Sequence, residues 1–468
     1  MKKQCLTILI SAGLLTAFPT NEALKAMKDS SYLDIQNSTL FTKTLAANNI
    51  LDFSGMVYNR FDHKIIAFGG GHATAQFPTN VAEFDFSTLK WSFMINIDSI
   101  ASCKNLYNAQ TALFDSAGQK LGGVRYNGKI YAGSRHTYDG LEMAADSNIM
   151  ISAQAQEFSG CQVDKYDSLF QGGSGLFTLD PTKKEWSLIH KAGLATSYCY
   201  SAVNPAEPDL IYLGSAGMGG FNAVNWKTGE KITKRSVSFS AGSDMSMTYC
   251  PERKSFLAFP YSSLYEYSIA TNTWTKLSPL GTPPNCYSLN VVYDSLNKVF
   301  CCFYDSSFYY YSPSANTWYN LPKKRYLSRL FHHHVYDPVN NVHVMVGAGW
   351  NTYAFKFSDT PGLFPGTGGF SGVEKRVHTG SLPILSVNPN PSATSTTLFY
   401  SGFGYEPLKL TITTINGKNV FDKTITPNKG NSYIWKPAST NGNSAAGVYI
   451  ARLTNGKLTK TAKIMISR

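Results

Sequence analysis

The sequence predicts an all-β protein built from a repeated sheet unit, and three observations carry that reading. Strand-forming residues dominate: Tyr 28 and Phe 28 lead a composition that is 13% aromatic and only 15% charged, with Gly 38 to supply turns. Several segments share one template, an apolar strand, an aromatic strand, a polar turn and then Trp. The Trp residues also recur at a regular interval. This composition excludes a coiled coil, a helical bundle and a disordered chain. A length of 468 residues suggests two to four domains, at ~100–200 residues for each.

The template segments run from Val81 to Trp91 (VAEFDFSTLKW), Leu176 to Trp186 (LFTLDPTKKEW), Tyr265 to Trp274 (YEYSIATNTW) and Tyr309 to Trp318 (YYYSPSANTW). Their spacings are 318 − 274 = 44, 274 − 186 = 88, which is twice 44, and 186 − 91 = 95, about two periods. A weaker copy ends near Lys231 (NWKTGEK), and the strand Tyr353 to Phe357 projects one more. Self-similarity at ~40–50 residues marks the blades of a propeller. The copies open alike, at Met56 (MVYNRFDHKIIAFGGG), Val292 (VYDSLNKVF) and Val335 (VYDPVNNVHVMVG): two short strands around an Asp/Asn/Pro turn. Seven blades fit if residues 94–134 form a degenerate copy, and six if that stretch is an insertion; seven is the expectation. With the glycines at 69–71, the Asp85 turn and the Trp, these copies resemble kelch repeats over residues 45–363. The resemblance implies a propeller and says almost nothing about function.

The two ends of the chain read differently. Lys2 and Lys3 precede an apolar run from Leu6 to Phe18, too short to span a bilayer, so residues 1–26 read as an export signal cleaved between Pro19 and Ala26. No later stretch reaches ~18 apolar residues, and no transmembrane segment is expected in the mature chain. Of the eight cysteines, Cys103 and Cys161 could form a bridge, while Cys199, Cys250, Cys286, Cys301 and Cys302 lie in apolar strand-like runs as small buried hydrophobes. A Gly/Pro-rich linker over 364–382 leads to a β domain at 383–468. Its Asn388-Pro-Asn-Pro391, Ile415-Asn-Gly-Lys418 turn, Ala446-Gly-Val-Tyr449 and closing Lys460-Thr-Ala-Lys-Ile-Met-Ile466 resemble the C-terminal sorting domain of the type IX secretion system of Bacteroidetes. That resemblance implies an immunoglobulin-like β-sandwich, the secretion machinery as partner, and a secreted or outer-surface location.

Chemistry in a propeller is expected where blade entrances meet at the mouth of the central channel. Aligned on the Val-Tyr-Asp register, those entrances supply Arg135, His136 and Tyr138, then Tyr198, Tyr200, Asp244, Tyr287 and Arg329 with His332, His333 and His334; His72 follows the glycine triplet. Strand alternation sends His332 and His334 to one face and His333 to the other.

Three functions compete for this set. In the first, an acidic, uronate-containing polysaccharide is cleaved by β-elimination: Arg135 or Arg329 binds the carboxylate, His136 or His72 removes the proton beside it, and Tyr138 protonates the leaving oxygen. His332, His334, Tyr198, Tyr200 and Tyr287 would contact the substrate. The excess of 12 positive charges favours a polyanion. The architecture and residue set are similar to those of ulvan lyases. In the second, His and Tyr residues bind copper, as the resemblance to galactose oxidase would imply, although no Cys sits in a matching motif for that family's crosslink. In the third, the propeller binds glycan or protein without chemistry, using Tyr198, Tyr200, Tyr287 and Trp350. A calcium or zinc ion bracing the fold is compatible with the sequence, with no ligand spacing to single it out. Nucleic acid is not an expected partner, since Lys323-Lys324-Arg325 is a short run in a connection and no phosphate-binding loop is present.

Overall fold

The computed structural model describes residues 18, 20–35, 54–69, 80–96, 110–118, 120–133, 135–153, 175–190, 199–215, 220–236, 245–285, 290–304, 307–322, 333–347, 350–361, 384–388, 390–392, 395–401, 407–425, 432–437, 446–456 and 459–467. The chain divides into two compact units, Met1–Gly366 and Thr367–Arg468. Strands dominate both, and the described helix is a single turn, Glu22–Lys25.

The first unit holds six antiparallel sheets among the described residues. Sheet one consists of Gly55–Asn59, Lys64–Phe68, Val81–Asp85 and Lys90–Ile95, in chain order. Sheet two begins Leu141–Met143, Met150–Ser152, Leu176–Asp180 and Glu185–His190. Sheet three is Cys199–Val203, Leu210–Ser215, Phe221–Asn225 and Lys231–Thr233; sheet four is Ser246–Cys250, Ser255–Phe259, Leu264–Ser268 and Thr273–Leu277. Sheet five is Val292–Asp294, Val299–Tyr304, Ser307–Ser312 and Thr317–Pro322. Sheet six takes His334–Asp337, Val342–Val346 and Thr352–Lys356, and its outer strand is Ser31–Ile35 from the other end of the chain, with Leu33 opposite Ala354.

The stretch expected as a separate copy builds no sheet of its own. Ala112–Phe114, Lys120–Tyr126 and Lys129–Ala132 instead continue sheet two beyond its fourth strand, with Ile130 opposite Trp186. The first unit therefore holds six sheets among the described residues.

Alternation within each strand explains how these sheets pack. In sheet one, Met56, Ile65 and Ala67 face sheet six with Val335, Val342 and Val344, whereas Val57, Ile66 and Phe68 face sheet two with Leu141, Met143 and Phe177. Equivalent apolar clusters join sheet two to three, three to four, four to five and five to six. Central strands are thus buried on both faces, which is why Lys64–Phe68 (KIIAF) and Ser255–Phe259 (SFLAF) read as apolar runs rather than alternating ones, while an outer strand such as Lys231–Thr233 stays exposed. The repeated Trp closes these clusters: Trp91 packs between sheets one and six, and its Nε1 donates to Thr352 Oγ1 at 2.8 Å.

The turns repeat as the strands do. Asp85 Oδ1 accepts from the backbone N–H of Ser87 and Thr88, Asp180 from Thr182 and Lys183, and Asn225 from Lys227 and Thr228. The residue just before the following strand then sits at positive φ in sheet after sheet: Leu89 at 56°, Lys184 at 57°, Asn272 at 53° and Asn316 at 47°.

The one-turn helix also belongs to the fold. Asn21 caps it, accepting from Ala23 and Leu24, and donates to Ser87 O of sheet one, while the Leu24 side chain is fully buried in the cluster of sheets one and six. An export signal ending at residue 26 would remove Leu24.

The second unit holds a three-stranded sheet, Ile384–Asn388, Thr396–Ser401 and Ser432–Trp435, and a four-stranded one ordered Asn419–Ile425, Leu408–Thr414, Gly447–Thr454 and Thr459–Ile466. Leu398, Tyr400 and Trp435 of the first share one core with Leu410, Ile412, Leu453 and Ile464 of the second.

Candidate functional site

The first strands of the six sheets contact one another in cyclic order, the sixth returning to the first. They enclose a cavity of about 350 Å³, to which Val57, Glu142, Ala202, Met247, Val292 and Val335 each bring one sheet's wall. Four tyrosines, Tyr58, Tyr249, Tyr293 and Tyr336, stand near the C-terminal ends of those strands and add aromatic surface.

A strap of residues 135–140 crosses from sheet to sheet beside this cavity. Thr137 Oγ1 accepts from Gly55 N at 2.7 Å and donates to Phe68 O at 2.9 Å, both in sheet one. A β-carbon at Gly55 would collide with the Tyr138 carbonyl, so only glycine lets the strap lie this close. Ser201 Oγ of sheet three donates to Asp139 O at 2.7 Å, and the Asp139 carboxyl accepts from Met247 N at 2.7 Å and Ser246 Oγ at 3.2 Å, both in sheet four. Tyr138 takes a φ of +45° where the strap turns, and the Gly140 N–H closes that turn on Thr137 O at 2.6 Å.

Two carboxyl groups line the cavity, those of Asp139 and Glu142. Burial pushes the Asp139 carboxyl well above the usual carboxylate range despite the hydrogen bonds it accepts. Glu142 is raised likewise, by burial first and then by Asp139, with Ser201 Oγ at 3.4 Å and the Arg60 charge opposing. Arg60 donates to Ala144 O at 2.8 Å and to Ala145 O, beyond the end of sheet two's first strand. Buried Cys199 is pushed up by desolvation and by both carboxyls, which leaves it a neutral thiol rather than a nucleophile. A cavity lined by tyrosines and by carboxyls that burial shifts toward the neutral form offers aromatic faces together with groups able to donate and accept hydrogen bonds.

The expected catalytic set fares differently. Arg135 is fully buried, its guanidinium donates to Gly122 O, Gly133 O and Gly175 O, and it lies over the Phe177 ring at 4.7 Å. It clamps backbone, not a substrate carboxylate. His136 and Tyr138 do meet, with Nδ1 3.1 Å from the hydroxyl, and both are buried. Tyr200 is buried against Phe221 between sheets three and four, so packing and not substrate contact is its role. Trp350 is likewise buried, edge-on to Trp91. His334 lines the cavity wall, its Nε2 3.0 Å from His343 Nδ1. His333, one residue away, turns to the opposite side and meets Ser54 Oγ at 2.8 Å; burial lowers its imidazole to about 3, so it stays neutral. His72, Tyr198, Asp244, Tyr287, Arg329 and His332 lie outside the described residues, as do Cys103, Cys161 and Cys286.

The alignment that gathered the expected set was out of register. Val57-Tyr-Asn59, Val292-Tyr-Asp294 and Val335-Tyr-Asp337 close a first strand, whereas Tyr138 and Asp139 precede one. Asp139 stands beside Tyr138 in Ser134-Arg-His-Thr-Tyr-Asp-Gly140 but is not among the expected site residues. Glu142 carries a sequence signal of its own, a lone acidic residue inside an apolar strand (LEM).

Among known protein families, the secretion system C-terminal sorting domain matches residues 386–467. The chain therefore carries the tail of type IX secretion, which sends it to the cell surface or the extracellular space. Among the described residues no helix is long and apolar enough to cross a membrane. No curated protein matches the sequence. Similar solved structures include an auxiliary nutrient binding protein from Bacteroides ovatus, at 10% identity and TM-score 0.43, covering 70% of this chain and 77% of that one. Another nutrient binding protein, from Bacteroides thetaiotaomicron, has 10% identity and TM-score 0.39 over 66% and 69%. A mitotic checkpoint complex chain has 10% identity and TM-score 0.41 over 71% and 93%. Likeness at this level carries no argument about what this chain binds.

Proposed function

We propose that the first unit is a six-bladed, kelch-like propeller closed by its N-terminal strand, and that it serves at the cell surface as a binding module for uncharged glycans. One observation carries this reading: the cavity framed by one strand from each sheet is walled by tyrosines and two carboxyls held toward the neutral form by burial. Sugar rings stack on tyrosine, and their hydroxyls match groups that donate and accept. A uronate polymer would meet Asp139 and Glu142 rather than a cation, since Arg135 is engaged with carbonyls and Arg60 with Ala144 and Ala145.

The lyase reading keeps one observation in its favour, the contact of His136 with Tyr138, a base beside an acid. Calorimetry with a panel of neutral and uronate oligosaccharides, run beside absorbance of the unsaturated elimination product, decides between them. The binding reading expects saturable heat from a neutral oligosaccharide, weakened roughly tenfold or more by Tyr249→Ala, and a flat absorbance trace. A rising absorbance on any uronate polymer supports the lyase instead. Copper content and peroxide release test the oxidase.

A further inference from the structure

We propose that Asp294, Cys301 and His343 form a buried metal site of zinc chemistry between sheets five and six. Asp294 ends the first strand of sheet five, Cys301 lies on the second, and His343 on the second strand of sheet six. Their donor atoms all lie within 4.8 Å of one another, and all three side chains are fully buried. Thiolate, imidazole and carboxylate together make a donor set that suits a borderline-soft, tetrahedral ion.

The molecule supplies its own comparison. One sheet further round, His63 meets Asp337 with Nε2 3.1 Å from both carboxylate oxygens, and Asn340 Nδ2 donates to the same carboxylate at 2.7 Å. That is an ordinary hydrogen-bonded latch. Asp294 repeats it, accepting from Asn297 N at 2.9 Å and Asn297 Nδ2 at 2.8 Å, but here His343 Nε2 stands off at 3.4 Å and a thiol joins the pair. Ligand distances of ~2.0–2.2 Å for nitrogen and oxygen set a tetrahedral edge of about 3.3 Å, close to that separation.

The surroundings suit a metal site too. His343 Nδ1 lies 3.0 Å from His334 Nε2, the outer hydrogen bond that orients a ligating imidazole. His334 in turn lines the central cavity. The fourth position would be taken by water, as in sites with three protein ligands.

The test is metal analysis of the full-length protein after folding with zinc, followed by exchange to cobalt(II). We expect about one zinc per chain and a thiolate-to-cobalt charge-transfer band in the near ultraviolet. Cys301→Ser should lose the band and most of the zinc, while Cys302→Ser, its equally buried neighbour, should keep both. A folded wild-type chain with no stoichiometric zinc and no band overturns the proposal without recourse to any variant. So does a band that survives Cys301→Ser.

Discussion

Arg135 illustrates how much a buried cation can contribute without touching a ligand. Its guanidinium ties Gly122, Gly133 and Gly175, three points of the extended second sheet, to the strap that crosses the cavity. Arg135→Met leaves those carbonyls without their donor in the dry interior, at about 1–3 kcal/mol for each unsatisfied group. Calorimetric unfolding should show a marked drop in Tm; a carboxylate clamp at the surface would leave Tm nearly unchanged. Three further residues set opposing pH dependences. His333 is lowered from 6.5 to about 3 in the folded state, so the unfolded chain binds its proton first. The stability this histidine contributes is lost as pH falls from about 6.5 toward 3, by up to a few kcal/mol. Asp139 and Glu142 are raised, so their contribution is full below their unfolded values of 3.8 and 4.5 and is lost as pH climbs through the folded values. Thermal unfolding across pH should therefore separate the two arms: His333→Gln flattens the acid side, and Glu142→Gln flattens the decline toward neutral pH and stabilises the chain there.

At the scale of the element, the strands and turns were legible because their causes are local. A turn Asp four residues before a left-handed position, followed by Trp, is written within ten residues, and the Trp91 and Trp186 copies fold as that pattern implies. Long-range pairings leave no such mark. Ser31–Ile35 joins Thr352–Lys356 across 354 − 33 = 321 residues, and nothing in SYLDI announces its partner. The stretch 94–134 also reads as a degenerate copy until the hydrogen bonds of Lys129–Ala132 to the edge of sheet two are known. The strap was misread for a related reason, because a Tyr-Asp pair was matched to a repeat position it does not occupy. The N-terminal strand makes a direct expectation possible. Removing residues 21–35 takes Leu24 from the core and strips sheet six of its fourth strand, and should abolish cooperative unfolding of the first unit. Leu24→Asp, which buries a charge in the same cluster while keeping the strand, should destabilise by about 3 kcal/mol or more. A truncated chain that unfolds at the full-length temperature would show that the closure contributes little.

Across the whole molecule, the repeat does two things at once. Stacking each sheet on its neighbours buries both faces of its central strands, and returning the sixth sheet to the first brings six strand edges around one cavity. The export tail has its own core and supplies the address. In the proposed binding role, function depends on what the first strands present, and those residues come from positions as far apart as Val57 and Val335. That is why the sequence pointed to the ring but not to Glu142. The most direct measurement is a crystal structure of the protein soaked with the tightest-binding oligosaccharide of the panel. Intact sugar density within the cavity, between Glu142 and the rings of Tyr249 and Tyr293, is the expected result. Density for a cleaved product beside His136 and Tyr138, or a sugar bound only outside the ring of first strands, would contradict the account.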